Sequence, residues 1–324
     1  MQHRSADIES AYTVLDGRPI DEALASRLID TPSAYAMDLY SLANKVRMAN
    51  TPSYDACSIV NAKSGACSED CAFCAQSGSN NAAVEIYPLM DEASLLAKAR
   101  EAKANGASAF SIVTSGCGYE TPSPELRRII TAIERIRDAV GIDMHASLGI
   151  LGDESLTLLK AAGVSMIHHN LETAPSHFMN ICTSHTIDAR IATVKRAKAH
   201  GFRVCCGGIL GLGESPRQRV ELAFAIRSLS VDAIPINVLN RLDGTRIERH
   251  PISIREIMNA VAVFRLINPK TIIKIAAGRE SALADWQGLV FNAGANSMLI
   301  GGYLTTRGRA VALDRELIDA LEGF

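Results

Sequence analysis

The sequence predicts an α/β fold: a TIM-type (β/α)8 barrel with an N-terminal helical extension. Three observations predict it. Eight short β-rich segments recur from residue 56 onward. A helical pattern follows nearly every one of them. The spacing is even and no glycine fingerprint follows the first segment, which sets the barrel above its alternative, a doubly wound open sheet.

The elements follow in order. Residues 1–45 read as the helical extension, because "DIESAYTVL" and "AYAMDLYSLANKVRMA" carry apolar residues at three- and four-residue spacing. Pro52 ends that preface, and residues 46–324 form the barrel. The expected strands are 56–62, 109–116, 143–149, 165–172, 203–211, 233–240, 271–278 and 297–303. Helical patterns such as "PELRRIITAIERIRDAVG" and "TIDARIATVKRAKAHG" lie between them. Gly106, Gly141, Gly163 and Gly201 are expected as C-caps. In either α/β fold, functional residues belong at the C-terminal ends of strands.

Composition narrows the function. The chain has 324 residues and a formal net charge of -2, with 48% hydrophobic residues and a pI near 6.5. That suffices for a sizeable core and offers no electrostatic case for nucleic acid or an anionic membrane. The polar start "MQHRSADIES" has no secretory signal, and no apolar run reaches the roughly 20 residues of a membrane span. A cytoplasmic, reducing compartment is expected, where clustered cysteines are metal ligands rather than disulfides.

Such a cluster stands in "SGACSEDCAFCAQS", residues 64–77, just after the first strand. Cys67, Cys71 and Cys74 have the spacing C-x3-C-x2-C. Thiolates are soft ligands suited to iron–sulfur clusters and zinc. Three on one loop can hold three irons of a 4Fe–4S cube and leave the fourth iron open. A closed zinc site would need a fourth ligand, such as His145 or Cys57. Buried apolar thiols are the plainer reading, which the polar surroundings disfavour.

C-x3-C-x2-C with Phe73 before the last cysteine resembles the signature of the radical S-adenosylmethionine enzymes. "NAKSGACSEDCAFCAQS", "HHNLETAPSHFMNICTSHT", "RVCCGGILGLGES", "IPINVLN", "VFRLINP", "AAGRE" and "AGANSMLIGGYLTT" resemble the biotin synthase family, in that family's order, from about residue 45 to the end. The resemblance implies a 4Fe–4S cluster with S-adenosylmethionine on its open iron. It also implies dethiobiotin as substrate, an electron donor such as flavodoxin or ferredoxin, and a homodimer.

Residue roles follow from the same resemblance. Ser115 and Gly116 fall where the family contacts the methionine part of S-adenosylmethionine. Arg190 is similar to an arginine near its carboxylate. "GGILGLGES", with Gly208, Gly211, Gly213 and Glu214, lies against the adenosine part in the family; its plainer reading is a tight turn. Asn170 and Asn237 recognise the cyclic urea of dethiobiotin in the family, and amides can clamp such a ring. Their plainer role is to satisfy backbone groups at strand ends. Glu172 is an acidic partner beside them. His168 shares parity with Asn170, and His169 is expected to pack, because adjacent strand residues face opposite ways.

Biotin formation in the family consumes sulfur from a sacrificial auxiliary cluster. In the best-known branch three cysteines and an arginine hold it, and this chain departs from that plan. Ser111, His145 and Lys274 stand at three of the four positions, and only Cys205 remains. Cys57 and Cys182 are new, which resembles a branch found in anaerobes. The expected auxiliary set is therefore Cys57, Cys182, Cys205 and His145, holding a 2Fe–2S or 4Fe-type cluster, with Cys117 and Cys206 as spare thiols. Two other functions stay open: a biotin-synthase-like component of a two-protein lipoyl synthase, and a non-catalytic iron–sulfur scaffold.

Overall fold

Eight parallel strands close into a ring, and each falls within or beside a segment expected from the sequence. In the computed structural model, which describes residues 5–306 and 308–322, they are Asp55–Lys63, Ala109–Thr114, Asp143–Ser147, Val164–His168, Arg203–Cys205, Ala233–Val238, Ile272–Ile275 and Ser297–Leu299. Each pairs with the next, and the first pairs with the last, Asp55 opposite Ser297. The ring has no free edge, and most strand residues are buried. Residues 1–4 of the expected extension and signal reading, and residues 307, 323 and 324 of the expected barrel, lie outside the described residues.

Helices cover the outside, and local chemistry sets their ends. Ser123, Ser215 and Ser253 cap three of them, the latter two in full capping boxes. Gly141 is itself a left-handed C-cap. Gly106, Gly163 and Gly201 differ from expectation by one position. Asn105, Ala162 and His200 are the C-caps, and each following glycine takes the positive φ that turns the chain toward the next strand.

Several strands stop short of their expected ends because the chain leaves the ladder to build the site. The fifth strand ends at Cys205 and resumes as Gly208–Leu210, which pairs with the sixth strand. Gly207 is obligatory between them: a Cβ there would sit 1.9 Å from the carbonyl oxygen of Pro235.

The N-terminal helices share one apolar core with the barrel. The helix Ser33–Asn50 runs through the expected boundary at residue 45. It docks on the helix Ile254–Ile267, where the Tyr40 hydroxyl donates to Asn259 Oδ1 at 3.0 Å. No helix among the described residues is long and apolar enough to cross a membrane.

The C-terminal helix Val311–Glu322 is latched by a buried ion pair. The Arg279 guanidinium lies 2.6 Å from Asp314 Oδ2, at side-chain exposures of 1% and 0%. The preceding residues Tyr303, Leu304, Thr305 and Thr306 reach over the barrel mouth. Asp314→Ala removes the carboxylate paired with a buried guanidinium, which then keeps only Gln287, the Leu299 carbonyl and the more distant Glu280, and costs about 3 kcal/mol. A lower thermal midpoint and faster amide exchange across 303–322 are expected; unchanged exchange would refute the latch.

Candidate active site

A cavity of about 430 Å³ opens at the C-terminal ends of the barrel strands and runs down to the barrel floor. Its mouth is the loop after the first strand. Gly65 and Ala66 take positive φ values of 74° and 47°, which turn the chain out of the sheet. Asn80 then ties the loop together, its amide donating to the carbonyls of Cys71, Ala72 and Cys74 at 3.1, 3.3 and 2.8 Å. Cys67 is held from both sides, its N–H on Gln76 O and its carbonyl accepting from Gly78 N. Asp70 fastens the loop to a neighbour by accepting from the backbone N–H groups of Thr183 and Ser184. Those bonds, led by the Thr183 hydroxyl, hold its carboxyl well below the usual range.

Cys67, Cys71, Cys74 and Phe73 all line the cavity. Burial pushes the thiols of Cys71 and Cys74 up, and the neighbouring sulfurs push further. Converging thiols that resist ionising alone are the donor set a multiply charged iron cluster satisfies, and the loop fits a 4Fe–4S group.

Behind the loop stands Arg190, on the helix Ile187–Ala199. It donates to Asn170 O at 2.9 Å and to His185 Nε2 at 3.0 Å, and lies 3.7 Å from Glu172. Glu172 is a non-glycine residue at φ 69°; burial raises its carboxyl pKa and Arg190 opposes this. Ser115 and Gly116 line the cavity, with the Ser115 hydroxyl donating to Gly65 O at 2.7 Å.

Both asparagines reach the wall and also do the plainer job. Asn170 Oδ1 accepts from Gly207 N, and Asn237 Oδ1 accepts from Ala277 N. Their amide nitrogens donate to Glu172 and to Gly208 O. Each nitrogen keeps a second hydrogen with no protein acceptor among the described residues, so each can donate to a ligand.

The glycine-rich segment is placed differently from the rest. Only Ile209 of this stretch lines the cavity; Gly208, Gly211, Gly213 and Glu214 do not. Glu214 accepts from Gly211 N and Leu212 N and pairs with Arg219 at 2.7 Å, so its carboxylate shapes its own loop. A Cβ on Gly208 would meet Glu172 O at 2.5 Å, so this glycine serves backbone packing.

The floor gathers Cys57, Cys205 and Lys274 on the cavity wall. Lys274 Nζ donates to Cys57 Sγ at 2.9 Å. Burial works against the ammonium, yet the sulfurs of Cys57 and Cys205 hold its pKa above the ordinary value. Burial pushes the Cys205 thiol up to about 11, and Lys274 opposes this. The Ser111 hydroxyl is buried without a partner among the described residues.

The floor corrects two expectations. His145 does not line the cavity: its Nε2 is 3.2 Å from Asp143 Oδ2 and its Nδ1 is 3.1 Å from His168 Nε2. Asp143 is held ionised, by its hydrogen bond to His145 first, and so must accept. His145 then accepts at Nδ1 from His168, which leaves His168 Nδ1 as the available lone pair. His168 lines the cavity and is the imidazole on offer there. Cys182 is likewise not on the floor. Its sulfur is 3.7 Å from Cys71 Sγ and 3.4 Å from His185 Nδ1, at the loop. His169, expected to pack, also reaches the wall, because the ladder ends at His168 and alternation ends with it. Cys117 is at the mouth, its thiol pushed up to about 11 by burial and Glu69, while Cys206 is buried in the main core. His185 and the tail 303–306 were not singled out from the sequence; both lie inside segments whose family likeness was legible.

The comparisons define the class. Residues 62–226 match the Radical SAM superfamily, and residues 235–323 match the Biotin and Thiamin Synthesis associated domain. Solved structures agree on the fold: methylornithine synthase superposes with a TM-score of 0.82 at 18% identity, covering 96% of this chain and 95% of that one. The FeFe-hydrogenase maturase HydG from Carboxydothermus hydrogenoformans gives 0.81 at 15% identity, over 98% of this chain and 78% of that one. Among curated proteins, the biotin synthase of Chlorobium limicola is 47% identical over 97% of this chain and 96% of its own length. That of Citrifermentans bemidjiense is 44% identical over 96% and 95%. The chain belongs to the biotin synthase family.

The buried histidines set a pH dependence. Burial above all holds His145, His168 and His169 below their ordinary pKa. In the unfolded chain these rings take up protons near pH 6.5 that the fold refuses. Their contribution is present above that pH and is lost as pH falls toward the depressed folded values. The thermal midpoint is expected to fall between pH 7.5 and 5.0, and less steeply in His169→Gln. A flat profile would contradict this.

Proposed function

We propose that this chain inserts sulfur into dethiobiotin to form biotin, using S-adenosylmethionine as the radical source. One observation carries the reading: a single cavity joins the three-cysteine loop, two ligand-facing amides and a sulfur-lined floor. Family membership supports the same reaction.

When bound at Cys67, Cys71 and Cys74, a 4Fe–4S cluster supplies the electron that splits S-adenosylmethionine and yields a hydrogen-abstracting 5′-deoxyadenosyl radical. The chain's own groups do the rest. Arg190 pairs with the carboxylate of S-adenosylmethionine, Ser115 and Gly116 flank its methionine part, and Phe73 shields the loop. The segment containing Gly208, Gly211, Gly213 and Glu214 supports the adenosine side through Ile209. Asn170 and Asn237 hold the cyclic urea with their remaining amide hydrogens. Cys57, Cys205 and His168 would hold the auxiliary cluster, which would supply the sulfur, in a Cys/His donor set known for iron–sulfur groups, and Lys274 would offset its negative charge. The barrel from residue 46 supplies the whole site. Flavodoxin or ferredoxin as electron donor, a homodimer and a cytoplasmic setting complete the proposal.

A lipoyl-type octanoyl chain lacks a urea and has no use for the paired amides. A non-catalytic scaffold has no use for ligand-facing amides in the same cavity as the cysteine loop. Anaerobic incubation with S-adenosylmethionine, a reductant, and either dethiobiotin or an octanoylated peptide is expected to give sulfur gain in dethiobiotin alone, by mass spectrometry. Sulfur gain only in the peptide would overturn the substrate. Cys205→Ala is expected to keep the roughly four irons of the loop cluster and lose those of the floor. Equal iron in wild type and variant would remove the auxiliary site.

A further inference from the structure

Cys71, Cys182 and His185 offer a second kind of metal chemistry. Their ligand atoms all lie within 4.8 Å of one another. A tetrahedral zinc ion, with bonds of about 2.3 Å to sulfur and about 2.05 Å to nitrogen, sets two sulfurs roughly 3.8 Å apart and a sulfur and a nitrogen roughly 3.5 Å apart. Cys71 Sγ and Cys182 Sγ are 3.7 Å apart, and Cys182 Sγ is 3.4 Å from His185 Nδ1. The sulfur separation is far beyond the about 2.05 Å of a disulfide. In a cube, by contrast, each cysteine takes its own iron, and Cys182 does not line the cavity where the loop thiols converge.

The surroundings suit a cation. The carboxylates of Glu69 and Asp70 flank the three donors: Glu69 Oε2 is 2.5 Å from His185 Nδ1, and Asp70 Oδ1 is 3.3 Å from Cys182 Sγ. The opposing charge is Arg190, whose Nε donates to His185 Nε2 at 3.0 Å.

We propose that the cluster-free chain binds one zinc-class divalent cation through Cys71, Cys182 and His185, with water in the fourth position. Binding releases the two thiol protons and converts both sulfurs to thiolates. It withholds Cys71 from the iron cluster, so the ion and the cluster exclude each other. The bond from Arg190 to Nε2 places the ring proton of His185 on Nδ1, where it donates to Glu69; ligation at Nδ1 moves that proton to Nε2 and gives up both bonds. The site itself rests only on donor geometry; the competition with iron rests on the loop-cluster reading above.

Cobalt(II) titration of the metal-free full chain under anaerobic conditions tests the site without any assay of activity. One equivalent is expected to bind, with thiolate-to-cobalt charge-transfer bands and tetrahedral d–d bands that zinc bleaches. Cys182→Ser and His185→Ala are each expected to weaken cobalt binding at least tenfold, with native circular dichroism. Cys67→Ser is expected to leave it unchanged. No binding at one equivalent, equal binding in the first two variants, or loss in Cys67→Ser would each overturn the site. In a separate arm, zinc-loaded wild type is expected to take up iron and sulfide more slowly than metal-free protein. Equal uptake would overturn the competition and leave the cobalt result standing as evidence for the site alone.

Discussion

The ammonium of Lys274 is the interaction on which the barrel interior depends. Lys274 is buried at the bottom of the cavity, so its charge must be met by charge. Lys274 donates to Cys57 and faces Cys205, and these sulfurs keep it protonated against burial. The relation is mutual, since Lys274 opposes the rise of the Cys205 thiol. Removing either side would leave an isolated buried charge or a pair of inert thiols. The floor is thus prepared for an anionic sulfur-bearing group before one binds.

At the other end of the cavity Arg190 plays the matching part. It joins Glu172 and the Asn170 carbonyl, at the end of the fourth strand, to His185 beside the cysteine loop. His185 touches Glu69 of the loop, so hydrogen bonds run from the loop through His185 and Arg190 to the amide wall. The same linkage brings Cys182 against Cys71, which makes the loop sensitive to metal ions as well as to clusters.

Much of this was legible in the sequence because it is local. The spacing of Cys67, Cys71 and Cys74 is a property of eight adjacent positions, so one short loop carries all three thiols. Strand and helix order follow from periodicity and from capping residues such as Ser123, Ser215 and Gly141. Distant groups were legible only in part: Cys57 and Cys205 do share the floor and Asn170 and Asn237 the wall, whereas Cys182 and His145 lie elsewhere. His145 and His168 both looked available, and only their shared bond and the anchoring carboxylate of Asp143 show which one faces the cavity. Glu214 sits in a suggestive glycine-rich stretch, yet its carboxylate is consumed by its own loop and Arg219.

By itself, then, the sequence determined the barrel, the three-cysteine loop and the family, because each rests on short-range spacing or on extended likeness. Only the tertiary structure decided that Cys57 and Cys205 meet Lys274 on the floor while Cys182 meets Cys71 at the mouth. The physical reason is that ring closure and loop packing set separations between residues more than a hundred positions apart. Residue type and parity carry no information about that separation.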